Sequence, residues 1–516
     1  MVRKAPDSKV FRKRDYLCTV HHFDMTAGRK IVVLNEEEAI ENDIYPSYRV
    51  LLEHNKRKTI AIVNLSRDHI KRGEIGIYEE VAEELGVGDG DKILIRQMEK
   101  PESMEYIKKK LDGKELSQSE IDAIIQDLME NRLSESELSA FITGMYIRGS
   151  TENEVVALTN AIVNSGETLN LQKKPIADKH CIGGIAGNRT TMLIVPICAA
   201  AGVYIPKTSS RSITSAAGTA DTMEVLCNVE LSIEEVRRVV LKAHGCIVWG
   251  GAMELASADD KLIRIRHPLS LDPWGIMLAS ILAKKKSVGA QYIVIDIPAG
   301  RGAKITDQKV ASKLARDFLV LGNRLGMKIE SLITDGTDPI GKGVGPALEC
   351  RDVLEVLEGG GPIDLRDKSC QMAGILLELC GKVKKGLGYE VANRLIDSGK
   401  ALAKLKEIIE LQGGDPKVTS KDIEVGKYTY DVVAEKTGRI AHVDNRLISK
   451  IARAAGAPTD KGAGLYMNFE KGDKVKQGDV LYTIYAESES KLSFAIKTLE
   501  AWEAFELQKI ILSTVK

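Results

Sequence analysis

Asp178–Asn188, D-K-H-C-I-G-G-I-A-G-N, and Ser209–Leu226, S-S-R-S-I-T-S-A-A-G-T-A-D-T-M-E-V-L, are two clusters of glycines and hydroxyls separated by one apolar stretch. Gly183, Gly184 and Gly187 carry no Cβ, so the backbone there can bend and approach an anion closely. A helix beginning near Thr190 would add its unpaired N–H groups and positive end. The run Met192 to Ala201 fits a buried helix, although its period equally admits a strand. In the second cluster, Ser209, Ser210, Ser212, Thr214, Ser215 and Thr219 supply hydroxyls, and Arg211 a planar fork suited to phosphate oxygens. Asp221 followed by Glu224 reads as a helix start, with Met223, Val225 and Leu226 turned inward. Either cluster alone is equally well a glycine-rich turn of an α/β fold. Together with the arginine they read as two anion cradles, implying a substrate with phosphate at two places or a reacting phosphate beside an anchoring one. Neither is a Walker A loop, because no G-K-[ST] follows, and there is no G-x-G-x-x-G for a dinucleotide.

The rest of the chain narrows the function classes. Its 516 residues predict roughly two to four domains. The net charge is zero with charges interspersed, so no nucleic-acid polymer is expected as a partner. Residues 1–15 begin R-K-A-P-D-S-K after the first two positions, lack the apolar core of a signal peptide, and are read as a mobile basic tail. No apolar run is long enough for a bilayer. The eight cysteines form no C-x-x-C pair, so neither a disulfide framework nor zinc is indicated. A cytoplasmic protein without a metal is expected.

Residues 16–98 hold short alternating segments (Tyr16–Val20, Lys30–Leu34, Arg49–Leu52, Thr59–Asn64, Lys92–Arg96) between turns, predicting a small β-rich domain. Residues 101–170 become helical. Three capping boxes, Ser117/Glu120, Ser134/Glu137 and Thr151/Glu154, each precede an apolar-periodic segment. From residue 171, β-like runs such as Gln291–Ile297 alternate with helices such as Asp307–Leu325, predicting a largely parallel sheet. A helical piece at 257–288 interrupts this region, leaving 171–256 plus 289–425 as the α/β part. Residues 426–516 form an α/β module with barrel-like hairpins. Its F-E-K-G-D-K-V-K-Q-G-D-V-L-Y resembles a lipoyl or biotinyl barrel without the modified lysine. The role of D-K-G-A-G, residues 460–464, is open.

S-S-R-S-I-T-S-A-A-G-T-A-D-T-M-E resembles the signature of thymidine and pyrimidine-nucleoside phosphorylases, and D-K-H-C-I-G-G their phosphate-binding segment. A-D-D-K-L (258–262), S-L-D-P (270–273), S-I-L-A-K-K (280–285) and D-K-G-A-G extend the likeness, which is greatest to the archaeal-type AMP phosphorylases. The resemblance implies a helical lobe, 101–170 plus 257–288, beside a large α/β lobe of the type II nucleoside phosphorylase kind, with a hinged cleft between them. It also implies that the β-rich N-terminal domain serves assembly into a homodimer or larger homo-oligomer.

The activity implied is phosphorolysis: AMP and phosphate give adenine and ribose 1,5-bisphosphate, with inorganic phosphate as a substrate and no cofactor. The first loop, with Lys179, His180, Gly183 and Gly184, is expected at the attacking phosphate and sugar. The second, Ser210, Arg211, Ser212, Ile213, Thr214 and Ser215 with Thr219, is expected to share phosphate and nucleotide contacts, Arg211 neutralising charge. Cys181 replaces the family serine and is a poorer donor. Asp272 matches the family proton donor for the leaving base; Leu271, Pro273 and Trp274 are expected to desolvate it, since an ordinary aspartate is ionised. By spacing alone, an aspartate before proline is more often a turn or N-cap residue, and the resemblance is what assigns it the proton. Ser280 and Lys304 map onto nucleotide-binding positions, and Lys284 is a further candidate. A pyrimidine-nucleoside phosphorylase, using Arg266, Ser280 and Lys284 on the base, is the alternative. A magnesium-dependent phosphoribosyltransferase of the anthranilate type and a silent nucleotide-binding scaffold complete the alternatives.

Overall fold

The structure, a computed structural model, describes residues 15–212, 215–253, 255–499 and 503–508. The tail expected at 1–15 therefore lies, but for Asp15, outside the described residues, as do Ile213 and Thr214. The chain forms two units: residues up to Ser165 with Ser257–Ser280, and Gly166–Ala256 with residues from Ile281 onward.

In the first unit the three capping boxes form as the sequence predicts. Ser117, Ser134 and Thr151 each accept the N–H of the glutamate three residues on, and that glutamate accepts the N–H of the cap. They start the helices Gln118–Met129, Glu135–Arg148 and Glu152–Asn164, behind Ser103–Leu111. The stripes Ile121, Ile124, Ile125, Leu128 and Leu138, Phe141, Ile142, Met145 are buried, so the apolar face holds these helices in place. Glu154 is buried as well and also takes the Lys110 ammonium at 2.7 Å.

Six strands, Tyr16–His22, Ile31–Asn35, Arg49–His54, Arg57–Ser66, Glu74–Ile77 and Lys92–Gln97, close into a barrel in the order first, fifth, second, fourth, third, sixth. Closure removes the exposed edges that a small sheet otherwise presents. The fifth strand, E-I-G-I, is absent from the alternating pattern because Gly76 stands where a Cβ would lie 2.5 Å from the Phe23 ring. Buried Arg49, on the third strand, donates to the Arg132 carbonyl and pairs with Glu137, tying the barrel to the helices. Lys261, in the helix Ser257–Arg266, donates to the carbonyls of Leu128 and Met129 at 3.3 and 3.0 Å. The barrel thus shares one unit with the helices instead of standing apart.

The second unit is built on parallel strands. Tyr292–Ala299 pairs in parallel with Lys328–Asp335 on one side and Ala177–Cys181 on the other. Ile205–Ser209 pairs in parallel with Gly245–Trp249, and the Ala177 N–H donates to the Tyr204 carbonyl at 2.8 Å, joining the two groups. The helix Thr190–Ala200 is buried from Thr190 through Ala199. Burial on every face is why its period resembles that of an inner strand.

The last module departs from a barrel. Among the described residues it has two small open sheets, Gly343–Val344, Gly464–Met467, Val480–Ala486, Tyr428–Val433 and Lys474–Val475, Gly438–Val443, Phe505–Leu507. The helices Asn445–Ala454 and Glu489–Leu499 pack with them. D-K-G-A-G gains a role here. Gly464 lies close against Val344, where a Cβ would stand 2.1 Å from its carbonyl oxygen, and Lys461 in the same motif pairs with Glu224 at 2.6 Å.

Candidate active site

Both anion loops lie in the second unit, each leaving a parallel strand at its carboxyl end, where ligands of open α/β sheets bind. Gly183, Gly184 and Gly187 have φ of 90°, 95° and 70°, the left-handed region that favours glycine. A Cβ on Gly184 would stand 2.5 Å from the backbone nitrogen of Lys304, so the exposed Lys304 is placed against the first loop. A Cβ on Gly187 would meet the Ile340 carbonyl oxygen at 2.1 Å.

Beneath this loop lies a set of buried charges absent from the sequence reading. Asp178 is fully buried and takes Lys285 at 2.7 Å and Lys207 at 3.4 Å. Burial alone would raise its pKa, but the two ammonium groups outweigh burial and hold it below the ordinary range. Lys207 is pushed down, by burial against the opposing pull of Asp178. On the other face of the strand Lys179 is buried and donates to the Thr190 hydroxyl at 2.9 Å. There it supports the start of the following helix. His180 is half-buried, and burial together with Lys285, Lys207, Lys179 and Lys284 pushes its pKa well below the ordinary value. Lys284 is half-buried on the helix Trp274–Ser287, next to Lys285, which holds Asp178.

Cys181 pins the loop internally. Its sulfur accepts the Gly183 N–H and the Asn188 side-chain N–H, both at 3.4 Å. Burial pushes the thiol up to about 11. Nearby, Asp296 takes the Thr334 hydroxyl at 2.7 Å and Lys368 at 3.2 Å.

The second loop is organised by carboxylates. Asp221 accepts the N–H groups of Ser212 and Gly218 at 2.7 and 2.8 Å, closing the loop across its ends. The helix here, Thr219–Met223, begins ahead of Asp221 and not at it. Ser212 donates to the Ser215 carbonyl, and Ser210 and Ser215 are exposed. Arg211 stands over the Trp249 ring, 5.1 Å from its centroid. Its terminal nitrogens donate to Glu224 at 2.8 and 2.6 Å, to Glu230 at 2.8 Å and to Asp221 at 3.5 Å. Acidic side chains thus hold this guanidinium. Glu224 is held down to about 2 by Arg211, with Lys461 adding to the effect from 2.6 Å. Arg453 donates to the Ser215 carbonyl at 3.0 Å, and Asn445 accepts the Ala186 N–H at 3.0 Å. The last module therefore touches both loops.

The first unit carries Asp272 and Ser280. Asp272 is exposed and ion-paired with Arg266, so the desolvation expected from Leu271, Pro273 and Trp274 is not what holds it. Ser280 is buried and donates to Asp259 at 2.7 Å.

Three family profiles match: the glycosyl transferase family helical bundle domain at 104–166, its a/b domain at 173–402, and the pyrimidine nucleoside phosphorylase C-terminal domain at 439–504. An AMP phosphorylase of Pyrococcus furiosus is 46% identical over 494 residues, 96% of this chain and 98% of that protein. The chain belongs to the AMP phosphorylase family. The AMP phosphorylase of Pyrococcus horikoshii is 50% identical over 485 residues, covering 94% of this chain and 96% of its own length. Anthranilate phosphoribosyltransferase from Thermus thermophilus shares the fold, at a TM-score of 0.52 and 20% identity, over 59% of this chain and 98% of that one. Among the described residues no helix is long and apolar enough to cross a membrane. Membership of the AMP phosphorylase family thus extends through the barrel as well as the two loops.

Proposed function

We propose that this chain catalyses phosphorolysis of a nucleoside 5′-monophosphate, converting AMP and inorganic phosphate to adenine and ribose 1,5-bisphosphate. The observation that carries this is the near end-to-end match to proteins named AMP phosphorylase, together with two anion loops on one parallel scaffold. A phosphate oxygen forms the new bond to C1′ while the bond to the purine nitrogen breaks and its electron pair passes to the base. Such glycosyl transfers develop oxocarbenium character at C1′. The first loop, with Gly183, Gly184, His180 and Lys304, holds the attacking phosphate. Ser210, Ser212, Ser215 and Thr219 bind the nucleotide, and Arg211 reaches it by leaving Glu224 and Glu230. Asp272 gives its proton to the departing base, which requires its release from Arg266, and Ser280 contacts the nucleotide. No cofactor enters this scheme. The N-terminal barrel, with Leu17 and Met25 exposed on its surface, is assigned to self-assembly.

The test is base release from AMP, adenosine, uridine or thymidine with phosphate and without added metal. Adenine from AMP, with little base from the nucleosides, is expected; release from uridine or thymidine alone would replace this reading with the pyrimidine one. In Asp272→Asn, AMP turnover should fall roughly 100-fold or more. Unchanged turnover removes Asp272 as the acid.

A further inference from the structure

Arg189 ends the first loop at the start of the helix Thr190–Ala200, with its side chain buried. Its Nη2 donates to the Ala217 carbonyl at 2.6 Å and its Nη1 to the Thr219 hydroxyl at 3.3 Å. Its Nε donates to Glu349, with which it forms an ion pair. Ala217 and Thr219 close the second loop. Glu349 is buried in the helix Pro346–Leu357 and also accepts the Thr222 hydroxyl at 3.1 Å and the Gly345 N–H at 3.3 Å.

One planar side chain therefore joins both anion loops to a common buried carboxylate. A buried ion pair is poor evidence for stability, because desolvation cancels much of its attraction. What the arrangement supplies is geometry: three donors in a fixed fork reach a backbone carbonyl and a hydroxyl of the second loop and a carboxylate on a separate helix. Lysine offers a single point charge and cannot span them.

We propose that Arg189 is a positioning residue that fixes the separation of the two loops, so that phosphate held by the first meets the sugar of a nucleotide held by the second. This rests on the phosphorolysis reading above. Arg189 touches neither reactant; it acts through the loops. Its loss therefore affects the reaction of two bound ligands more than the binding of either alone.

Arg189→Lys keeps the charge and loses the fork. For AMP phosphorolysis, kcat is expected to fall about 100-fold, the scale of a misplacement of about 1 Å between reactants. The dissociation constants of phosphate alone and of AMP alone, measured by calorimetry, should stay within about threefold. Glu349→Gln preserves shape and hydrogen-bonding capacity while removing the charge that anchors the guanidinium. Its kcat should fall about tenfold with the same unchanged single-ligand binding. Undiminished kcat in either variant overturns the proposal, as does a loss of single-ligand affinity matching the loss of kcat. If Arg189→Lys does not fold, Glu349→Gln decides by the same criteria. Absence of adenine release from the unaltered chain sinks the phosphorolysis reading itself, whereas normal release from it and from both variants removes only the role of Arg189.

Discussion

Under the first loop, Lys207 and Lys285 pair with Asp178 in the interior, the half-buried Lys368 pairs with Asp296, and the buried Lys179 bonds to Thr190. Around the second, Arg211 and Lys461 meet Asp221, Glu224 and Glu230 nearer the surface. The first arrangement holds its lysines and carboxylates in buried positions beneath a backbone bent by glycines, so the loop above them is fixed from below. The second balances each cation with a carboxylate, and under the proposed function a phosphate would have to displace one acid from Arg211. Similar strings of glycine and hydroxyl residues therefore rest on two different supports, one of buried charges and one of partly solvated ion pairs.

The largest expected effect tests the buried set. Asp178→Asn leaves Lys207 and Lys285 without their carboxylate and should destabilise the fold by about 3–5 kcal/mol, the usual consequence of breaking a buried pair from one side. Thermal and chemical denaturation measure it, and a loss under about 1 kcal/mol would mean that the lysines are neutral or hydrated.

A smaller effect separates the glycines of the first loop. Gly187→Ala places a Cβ against the Ile340 carbonyl at positive φ and should lose about 2–4 kcal/mol. Gly183→Ala, with open space around its Cβ, incurs only the backbone term of about 1–2 kcal/mol. Equal losses would show that the loop relaxes as a whole.

The smallest concerns pH at the second loop. The folded-state pKa of Glu224, about 2, lies below the ordinary 4.5. Its stabilisation is therefore complete above about pH 5 and disappears as pH falls toward 2, through protonation of the folded carboxylate. Because the side chain is partly solvated, the contribution is about 1 kcal/mol after screening. Glu224→Gln should flatten the stability profile over that window. An unchanged slope would show that Arg211 gains little from this acid.

What the sequence discloses here is local. Ser117/Glu120, Ser134/Glu137 and Thr151/Glu154 lie three residues apart, and each forms its capping box. The glycines and hydroxyls of both loops are visible for the same reason. The supports of those loops are not: Arg189 and Glu349 are 160 positions apart and Asp178 and Lys285 are 107 apart, and no period or motif links them. Lys179 lies inside the most informative motif, yet strand alternation and burial on both faces turn it inward. Asp272 is legible as a residue, but its partner Arg266 depends on how the turn between two helices folds.

Asn445, Arg453 and Lys461 make the last module part of the architecture of both loops. A chimaera joined to a distant relative near residue 425 would inherit, along with a foreign module, a different floor beneath the Ala186 N–H and the Ser215 carbonyl. Recombination across that junction should therefore succeed only when these three side chains travel with the loops they hold, which couples the two stretches of sequence as one unit of exchange.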